Sequence, residues 1–368
     1  MARGMPFPRP EFMRLALRLA RRGKGRTSPN PTVGAVLVRG GRVVGKGYHR
    51  AAGMPHAEVM ALRAAGKAAR GADLYVTLEP CAHTGRTGPC TDAIIAAGVK
   101  RVAAAMRDPN PLVAGKGFRT LRKAGILAVI GLMEEEARSL NRPYCRWVVS
   151  GKPFVTLKLA VSLDGQIAAA SGESRWISGE AGRTMVHRMR SEADAILVGG
   201  VTFRRDAPLL TARIPGGRNP KRVLLTSRIG RVARSGRFLA GGGEVIVAAP
   251  RSVSRKETDR LRSLGIRVLL LPAEKGRIGT GAFLDALGSE GITSLLVEGG
   301  GKTAGWLVEA CAVDRYVFFL SPLLLGEGIR SVAGFAARRV KEGRRLVITK
   351  VSKAGGDVMV VAEAAPDA

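Results

Sequence analysis

Three features of this sequence predict two α/β units in tandem. Short apolar runs of strand length alternate with helix-patterned segments along most of the chain. The alternation breaks around residues 141–152, where Asn141-Arg142-Pro143-Tyr144 and Ser150-Gly151-Lys152-Pro153 supply punctuating residues. A chain of 368 residues, 46% of them hydrophobic, is also long enough for two domains of ordinary size. The expected division is 1–148 and 149–368.

In the first unit, Val33 to Val38 and Val43 to Gly47 read as strands. A helix runs from Ala57 to Ala69, with Val59, Leu62, Ala65 and Ala68 apolar. Leu74 to Leu78 is a strand and the residues after Cys90 a helix; Arg101 to Ala105 and Ile126 to Ile130 are further strands, and Glu134 to Leu140 closes the unit as a helix. That order fits a mixed sheet with helices on its faces. The second unit has Val-, Ile- and Leu-rich strands at Phe154 to Val161, Ala195 to Gly199, Arg222 to Leu225, Glu244 to Ala248, Arg267 to Leu271 and Ser294 to Val297. Helices are expected at Arg183 to Arg190, Lys256 to Leu264 and Thr303 to Cys311. Apolar runs at Tyr316 to Leu320, Leu346 to Val351 and Val358 to Ala362 have little helix between the last two, so the sheet gains antiparallel strands at its end.

The chemistry is densest at His56-Ala57-Glu58, Glu79-Pro80-Cys81 and Cys90. One imidazole and two thiolates can hold zinc in a tetrahedral site that keeps a position open, and a water there is acidified towards hydroxide near neutral pH. Glu58, two residues beyond His56, can shuttle protons beside the metal. Hydrolytic removal of an amino group from a heterocycle needs this set, and H-x-E followed by P-C is its signature. A hydrogen-bonded surface His56 with two ordinary core thiols is the bland alternative, and the signature argues against it. Eight residues separate Cys81 from Cys90 instead of two; this is harmless if the excursion loops out, and it carries His83, Thr84, Gly85, Arg86 and Thr87, which look like substrate contacts.

Four cysteines, two of them assigned to metal, do not make a disulfide scaffold, so Cys145 and Cys311 read as reduced core or interface thiols. Met1 to Met5 lack the apolar stretch of a signal peptide, and no run approaches the roughly 18 apolar residues of a membrane span. A cytoplasmic enzyme is the expectation. Sixty Lys and Arg against 29 Asp and Glu give a net charge of +31, a field that attracts polyanions. The basic residues are spread out with little aromatic interleaving, which argues against dedicated nucleic-acid binding.

In the second unit, Glu298-Gly299-Gly300-Gly301-Lys302-Thr303 follows a strand and opens a helix, so its amides can cradle a phosphate. It is neither a Walker A loop, since Leu296 stands where that motif needs glycine, nor a Gly-x-Gly-x-x-Gly fingerprint. A tight turn is the alternative.

Taken together, Thr27 to Pro31, Val33-Gly34-Ala35, Gly47-Tyr48-His49, the zinc segments, Asp108-Pro109-Asn110-Pro111 and Gly115-Lys116-Gly117 resemble the bifunctional riboflavin-biosynthesis deaminase-reductase family. Lys158 to Gly165, Ser171 to Ile177, Glu298 to Gly301 and Pro322 to Gly326 resemble its reductase half. The resemblance implies a cytidine-deaminase-like first domain and a dihydrofolate-reductase-like second domain. It implies zinc on His56, Cys81 and Cys90, with Glu58 catalytic. Asn30, His49 and His83 would contact the pyrimidine of the first reaction. Ala160, Trp176, Thr202, Asp206, Ser227 and the loop Gly300, Gly301, Lys302, Thr303, Ala304, Gly305 and Trp306 would lie against NADPH. Lys158, Ser174, Arg190, Leu210, Arg213 and Glu298 would meet the phosphoribosyl substrate, with Arg190 and Arg213 as a phosphate clamp. Lys158 and Asp164 are candidates for orienting polar groups, and a homodimer is implied.

The resemblance further implies hydrolytic deamination at C2 of a diaminopyrimidine phosphoriboside, then reduction of the ribosyl group of the uracil product to ribityl. Gly88-Pro89 stands where the family has two prolines, and Thr226 where it commonly has aspartate before the serine. A nucleoside, free-base or transfer-RNA deaminase with the same zinc chemistry, fused to a non-catalytic or differently specific reductase-like half, is the rival reading. A structural zinc module is a third, disfavoured because Glu58 sits beside an incomplete three-residue ligand set.

Overall fold

The computed structural model, which describes residues 7–82 and 88–365, divides the chain between Gly151 and Lys152. The first unit runs α1 (Pro10–Arg21), β1 (Gly34–Arg39), β2 (Arg42–Tyr48), α2 (Ala57–Ala65), β3 (Asp73–Val76) and α3 (Cys90–Ala96). It continues through β4 (Arg101–Ala104), α4 (Lys116–Lys123), β5 (Leu127–Ile130), α5 (Glu134–Leu140) and α6 (Arg142–Ser150). Its sheet has the order β2-β1-β3-β4-β5, antiparallel from β2 to β3 and parallel from β3 to β5. The expectations above omit α1, although Phe12, Met13, Ala16, Leu17 and Ala20 recur at helical spacing and are all buried.

The segment 141–152 is a helix and not a linker. Pro143 stands in the first turn of α6, where its missing N–H costs nothing, and Gly151 closes the helix in the left-handed region at φ 70°.

Two local constraints aim the first unit's chemistry. Gly47, on the face of β2 that meets α2, has no room for a side chain: a Cβ there would strike the carbonyl of Ala57 and the amide of Ala61. The start of α2, with His56 and Glu58, is thereby pressed onto the sheet. Beyond β3, buried Glu79 accepts from the backbone N–H groups of Asp108 (3.2 Å), Gly115 (3.0 Å), Gly117 (2.9 Å) and Phe118 (3.4 Å). It thus caps α4 from another strand and fixes the 108–118 segment beside Cys81.

The second unit runs β6 (Phe154–Ser162), β7 (Gln166–Ala168), α7 (Glu180–Glu192), β8 (Ala195–Gly199), α8 (Gly200–Asp206), β9 (Lys221–Leu225), α9 (Gly236–Leu239) and β10 (Val245–Pro250). Then follow α10 (Arg255–Ser263), β11 (Arg267–Leu271), β12 (Ala273–Glu274), β13 (Arg277–Ile278), α11 (Thr280–Ser289), β14 (Ser294–Val297) and α12 (Gly301–Glu309). The chain ends with β15 (Arg315–Ser321), β16 (Ile329–Arg330), β17 (Leu346–Ala354) and β18 (Asp357–Ala364). Nine strands form one sheet, ordered β11-β10-β9-β8-β14-β6-β15-β18-β17. It is parallel from β11 to β15, and the last two strands add antiparallel. Cys145 packs against the first core, whereas Cys311 is exposed, which removes the core half of the expectation of a core or interface thiol. No helix among the described residues is long and apolar enough to cross a membrane.

Glu298, immediately after β14, is joined to α7 by a two-pronged pair: Arg190 Nε to Oε1 and Nη2 to Oε2, both 2.7 Å. Burial alone would push this carboxyl up, but the charge and hydrogen bonds of Arg190, with Lys158 behind them, hold it below its ordinary value. The unfolded chain therefore takes up the proton first on acidification. The pair's contribution is complete above the unfolded pKa of about 4.3 and is lost as pH falls through the lower, folded value. Glu298→Gln, which strands Arg190, is expected to lower stability near neutrality by about 3–5 kcal/mol and to flatten the acid limb of the stability curve. Urea midpoints measured across a pH series check this, and an acid limb as steep as that of the wild type contradicts it.

Candidate active sites

In the first unit, His56 Nδ1 lies 3.1 Å from Cys90 Sγ and 3.6 Å from Cys81 Sγ, and the three ligand atoms all fall within 4.8 Å of one another. A tetrahedron with Zn–S of about 2.3 Å and Zn–N of about 2.0 Å has edges of roughly 3.3–3.8 Å, so this donor set fits zinc in chemistry and in spacing. Cys81 follows β3, Cys90 opens α3 and His56 precedes α2, so three elements converge. A hydrogen bond from Cys90 brings Cys81 down to about 4, and Cys81, with burial, pushes Cys90 far up.

Glu58, in the first turn of α2 and only 4% exposed, has its carboxyl pushed up to about 7, by burial first and then by the charge of Cys81. A group with that value takes and returns a proton near neutrality. Across a cavity of about 450 Å³, His49 Nδ1 donates to the Pro55 carbonyl (3.2 Å), which leaves Nε2 to accept from the Asn30 amide (3.2 Å). Burial pushes the His49 pKa down, in keeping with a neutral ring. The Asn30 amide is thereby oriented, with its oxygen free of that bond. Asn30, His49, His56, Glu58 and Cys81 line one cavity; Cys90 is fully buried behind it, and His83 lies outside the described residues.

The sequence reading missed the far wall of this cavity. Tyr144, Trp147 and Val148 of α6 line it, and the Tyr144 hydroxyl donates to both oxygens of buried Asp108, at 2.9 and 3.2 Å. Their spacing of three and four residues was a helical signal, obscured by taking Pro143 for a breaker.

In the second unit, a cavity of about 960 Å³ opens beyond the C-terminal ends of β6, β14, β8, β9 and β10, where open α/β sheets place ligands. Ala160, Trp176, Thr202, Asp206, Ser227, Gly300 to Thr303 and Trp306 line it, as do Lys158, Ser174, Arg190, Arg213 and Glu298. Ala304, Gly305 and Leu210 do not. Ala304 is fully buried in the core, and Leu210, at φ 56°, is buried in the cluster that includes Phe203, Ile229 and Phe238. A Cβ at Gly301 or Gly305 would strike the carbonyls of Arg330 and Ala333, so these glycines serve close packing against α12. Within the glycine loop, the Gly300 N–H is already committed to Thr202 Oγ1 at 3.1 Å.

Arg190 spends three of its five N–H groups on Glu298 and on the Thr211 carbonyl (3.2 Å), while Arg213, the other half of the expected clamp, is exposed on the cavity wall. Asp164 accepts from the amides of Leu325 and Gly326 (3.1 and 2.7 Å) and pins that loop, outside the cavity lining. Lys158, by contrast, faces the cavity beside Glu298; burial pushes its pKa down against the raising charge of Glu298, and Arg190 adds to the lowering.

Residues 8–106 match the cytidine and deoxycytidylate deaminase zinc-binding region, and residues 153–360 match the RibD C-terminal domain. The riboflavin biosynthesis protein RibD of Aquifex aeolicus is 43% identical over 95% of this chain and 96% of its own length. That of Bacillus amyloliquefaciens is 42% identical over 95% of each chain. A crystal structure of a diaminohydroxyphosphoribosylaminopyrimidine deaminase/5-amino-6-(5-phosphoribosylamino)uracil reductase from Thermotoga maritima, 36% identical, superposes with a TM-score of 0.86 over 97% of this chain and 98% of its own. The chain belongs to the RibD family of riboflavin biosynthesis proteins and carries a deaminase unit followed by a reductase unit.

Proposed function

We propose that the first unit removes the C2 amino group of 2,5-diamino-6-(5-phosphoribosylamino)pyrimidin-4(3H)-one. The second unit then reduces the ribosyl group of 5-amino-6-(5-phosphoribosylamino)uracil with NADPH. The observation that carries this reading is the three-donor zinc set with a carboxyl poised near 7 beside it, in a chain whose second cavity runs across five strand ends. Zinc, when bound, supplies the Lewis acidity that makes water a nucleophile near neutral pH. Glu58 takes one proton from the attacking water and passes it to the ring nitrogen, then takes a second from the hydroxyl left on C2 and passes it to the amino group, which departs as ammonia. The Asn30 amide, fixed by His49, orients the pyrimidine, and the α6 wall excludes bulk water.

In the second cavity NADPH, when bound, supplies the hydride for C1′ of the ribosyl group. Arg213 and Ser174 hold the substrate phosphate away from the reacting carbon, while Lys158 and Glu298 orient polar groups near it. A reducing, cytoplasmic compartment suits four free cysteines, two of them needed as thiolates.

We further propose a homodimer through the second unit. The edge strand β17 exposes Val347, Ile348 and Val351, an apolar set that an edge strand otherwise leaves open to unwanted pairing. Sedimentation at micromolar protein is expected to give a species twice 38.8 kDa, reduced to the single chain by Ile348→Glu with Val351→Glu. A 38.8 kDa wild type removes the proposal.

Glu58→Gln is expected to keep zinc while ammonia release falls by roughly 10²–10⁴-fold, whereas Cys81→Ser loses metal as well. Metal analysis beside an ammonia assay decides this, and near-normal turnover of Glu58→Gln overturns the assignment. The whole reading is tested by supplying zinc-loaded enzyme with the diaminopyrimidine phosphoriboside and NADPH. Ammonia release followed by loss of the reduced cofactor's absorbance is the expected result. Ammonia from cytidine but not from the diaminopyrimidine would transfer the first unit to another substrate, and ammonia without cofactor oxidation would leave a deaminase alone.

A further inference from the structure

On the proposed NADPH reading of the second cavity, we infer that Arg277, carried on the β12–β13 hairpin, recognises the cofactor's 2′-phosphate, with Ser227 opposite it. The argument starts from the order of strands. The glycine loop after β14 offers backbone amides at the start of α12, and Lys158, Arg190 and Glu298 mark the reacting end near β6. On the other side of the loop, β9 lies two strands from β14, about 10 Å away at the ordinary strand spacing. That is the reach of an adenosine whose pyrophosphate sits at the loop.

At that end the cavity is lined by Leu225, Thr226 and Ser227 from β9, Pro250 from β10, and Gly276, Arg277 and Ile278 from the hairpin. A carboxylate there would mark a site for a free ribose 2′-hydroxyl, and an arginine one for the 2′-phosphate. Among the described lining residues only Asp206 and Glu298 carry carboxylates. Glu298 is committed to Arg190, and Asp206 closes α8. Thr226 turns its hydroxyl to the Arg228 amide (3.1 Å), leaving Ser227 exposed at the strand end.

The hairpin is built to present this arginine. It leaves the end of β11 and reverses over Lys275 and Gly276, both at positive φ (48° and 74°), in a two-residue turn. The Ile278 carbonyl accepts from the Trp306 indole (3.2 Å), which ties β13 to the same helix that carries the glycine loop; Phe283 packs edge-on against that indole. The side chain itself is held by little. It is 68% exposed and its guanidinium makes one ion pair, at 3.5 Å, with exposed Glu309, of the kind worth little in water. It is free to exchange that partner for a phosphate, which an arginine can grip through two N–H groups.

The test measures binding, independent of turnover, by calorimetry on the full chain with adenosine 2′,5′-bisphosphate and adenosine 5′-monophosphate. Wild type is expected to prefer the 2′-phosphorylated ligand. Arg277→Ala is expected to weaken that ligand by about 10–100-fold, with the monophosphate changed less than about twofold. Arg277→Lys should recover part of the loss. Lys302→Ala, a change at the glycine loop, should weaken both ligands alike. The inference is overturned if Arg277→Ala shifts both ligands by the same factor or neither, or if Lys302→Ala alone removes the preference for the 2′-phosphate. Should wild type bind the two ligands equally, the NADPH reading itself fails, a result distinct from failure of the Arg277 assignment.

Discussion

A carboxylate buried where a strand ends must be surrounded by donors, and both cavities depend on that constraint. Glu79 beyond β3 and Glu298 after β14 occupy equivalent situations in the two units. Water cannot reach them well enough to solvate the charge, and an uncompensated buried charge costs several kcal/mol. Each therefore recruits partners distant in sequence. Glu79 gathers four backbone amides from residues 108–118, and Glu298 takes the fork of Arg190 from α7. The loops these partners belong to can take few other positions. One carries Asp108 to the wall of the first cavity, and the other holds the Thr211 to Arg213 turn on the rim of the second.

Burial opposes ionisation at Glu58 and at Glu298 alike, yet the two carboxyls move in opposite directions. At Glu58 burial acts first, and the main neighbouring charge, that of Cys81, adds to it and carries the carboxyl to about 7. Beside Glu298 it is a guanidinium, which outweighs desolvation and keeps the carboxylate ionised. Glu58 is thereby suited to moving protons and Glu298 to standing still. The sign of one neighbour, more than depth of burial, separates a proton carrier from a fixed polar wall.

The zinc donors were legible in the sequence because imidazole, carboxylate and thiolate in that order are rare by chance and fall where strand and helix patterns change. The strands of the second unit were legible for a similar reason, since parallel strands buried on both faces read as continuous Val, Ile and Leu runs. Tertiary contacts decided what was not. Nothing local to Arg190 shows that its guanidinium is spent on a residue 108 positions away. Asp164 looks like a site residue from its neighbours but faces the amides of 325 and 326. The glycines at 301 and 305 look like a phosphate loop, and the close approach of 330–333 accounts for them. Arg222 was read simply as the first residue of a strand, yet it is 1% exposed and held by the carbonyls of Phe238 and Gly243. Pro143 misled because a proline starts a helix as readily as it stops one.

The excess positive charge is not shared between the two cavities, and the division has a physical reading. Six arginines and two lysines line the second cavity against two carboxylates. The described lining of the first has Glu58, Glu79 and Asp108 and neither lysine nor arginine. The first cavity instead presents neutral groups, the amide of Asn30 and the imidazole of His49, whose donor and acceptor directions are fixed by their mutual hydrogen bond and by the Pro55 carbonyl. A lysine or arginine there would add to the stabilisation of ionised Glu58 that a bound metal already supplies. The second cavity carries no such restriction, because hydride transfer needs no carboxyl poised near neutrality. There, cations can gather and raise the local concentration of anionic ligands through the field they share. The placement of charge thus follows from what each reaction asks of its nearest carboxylate.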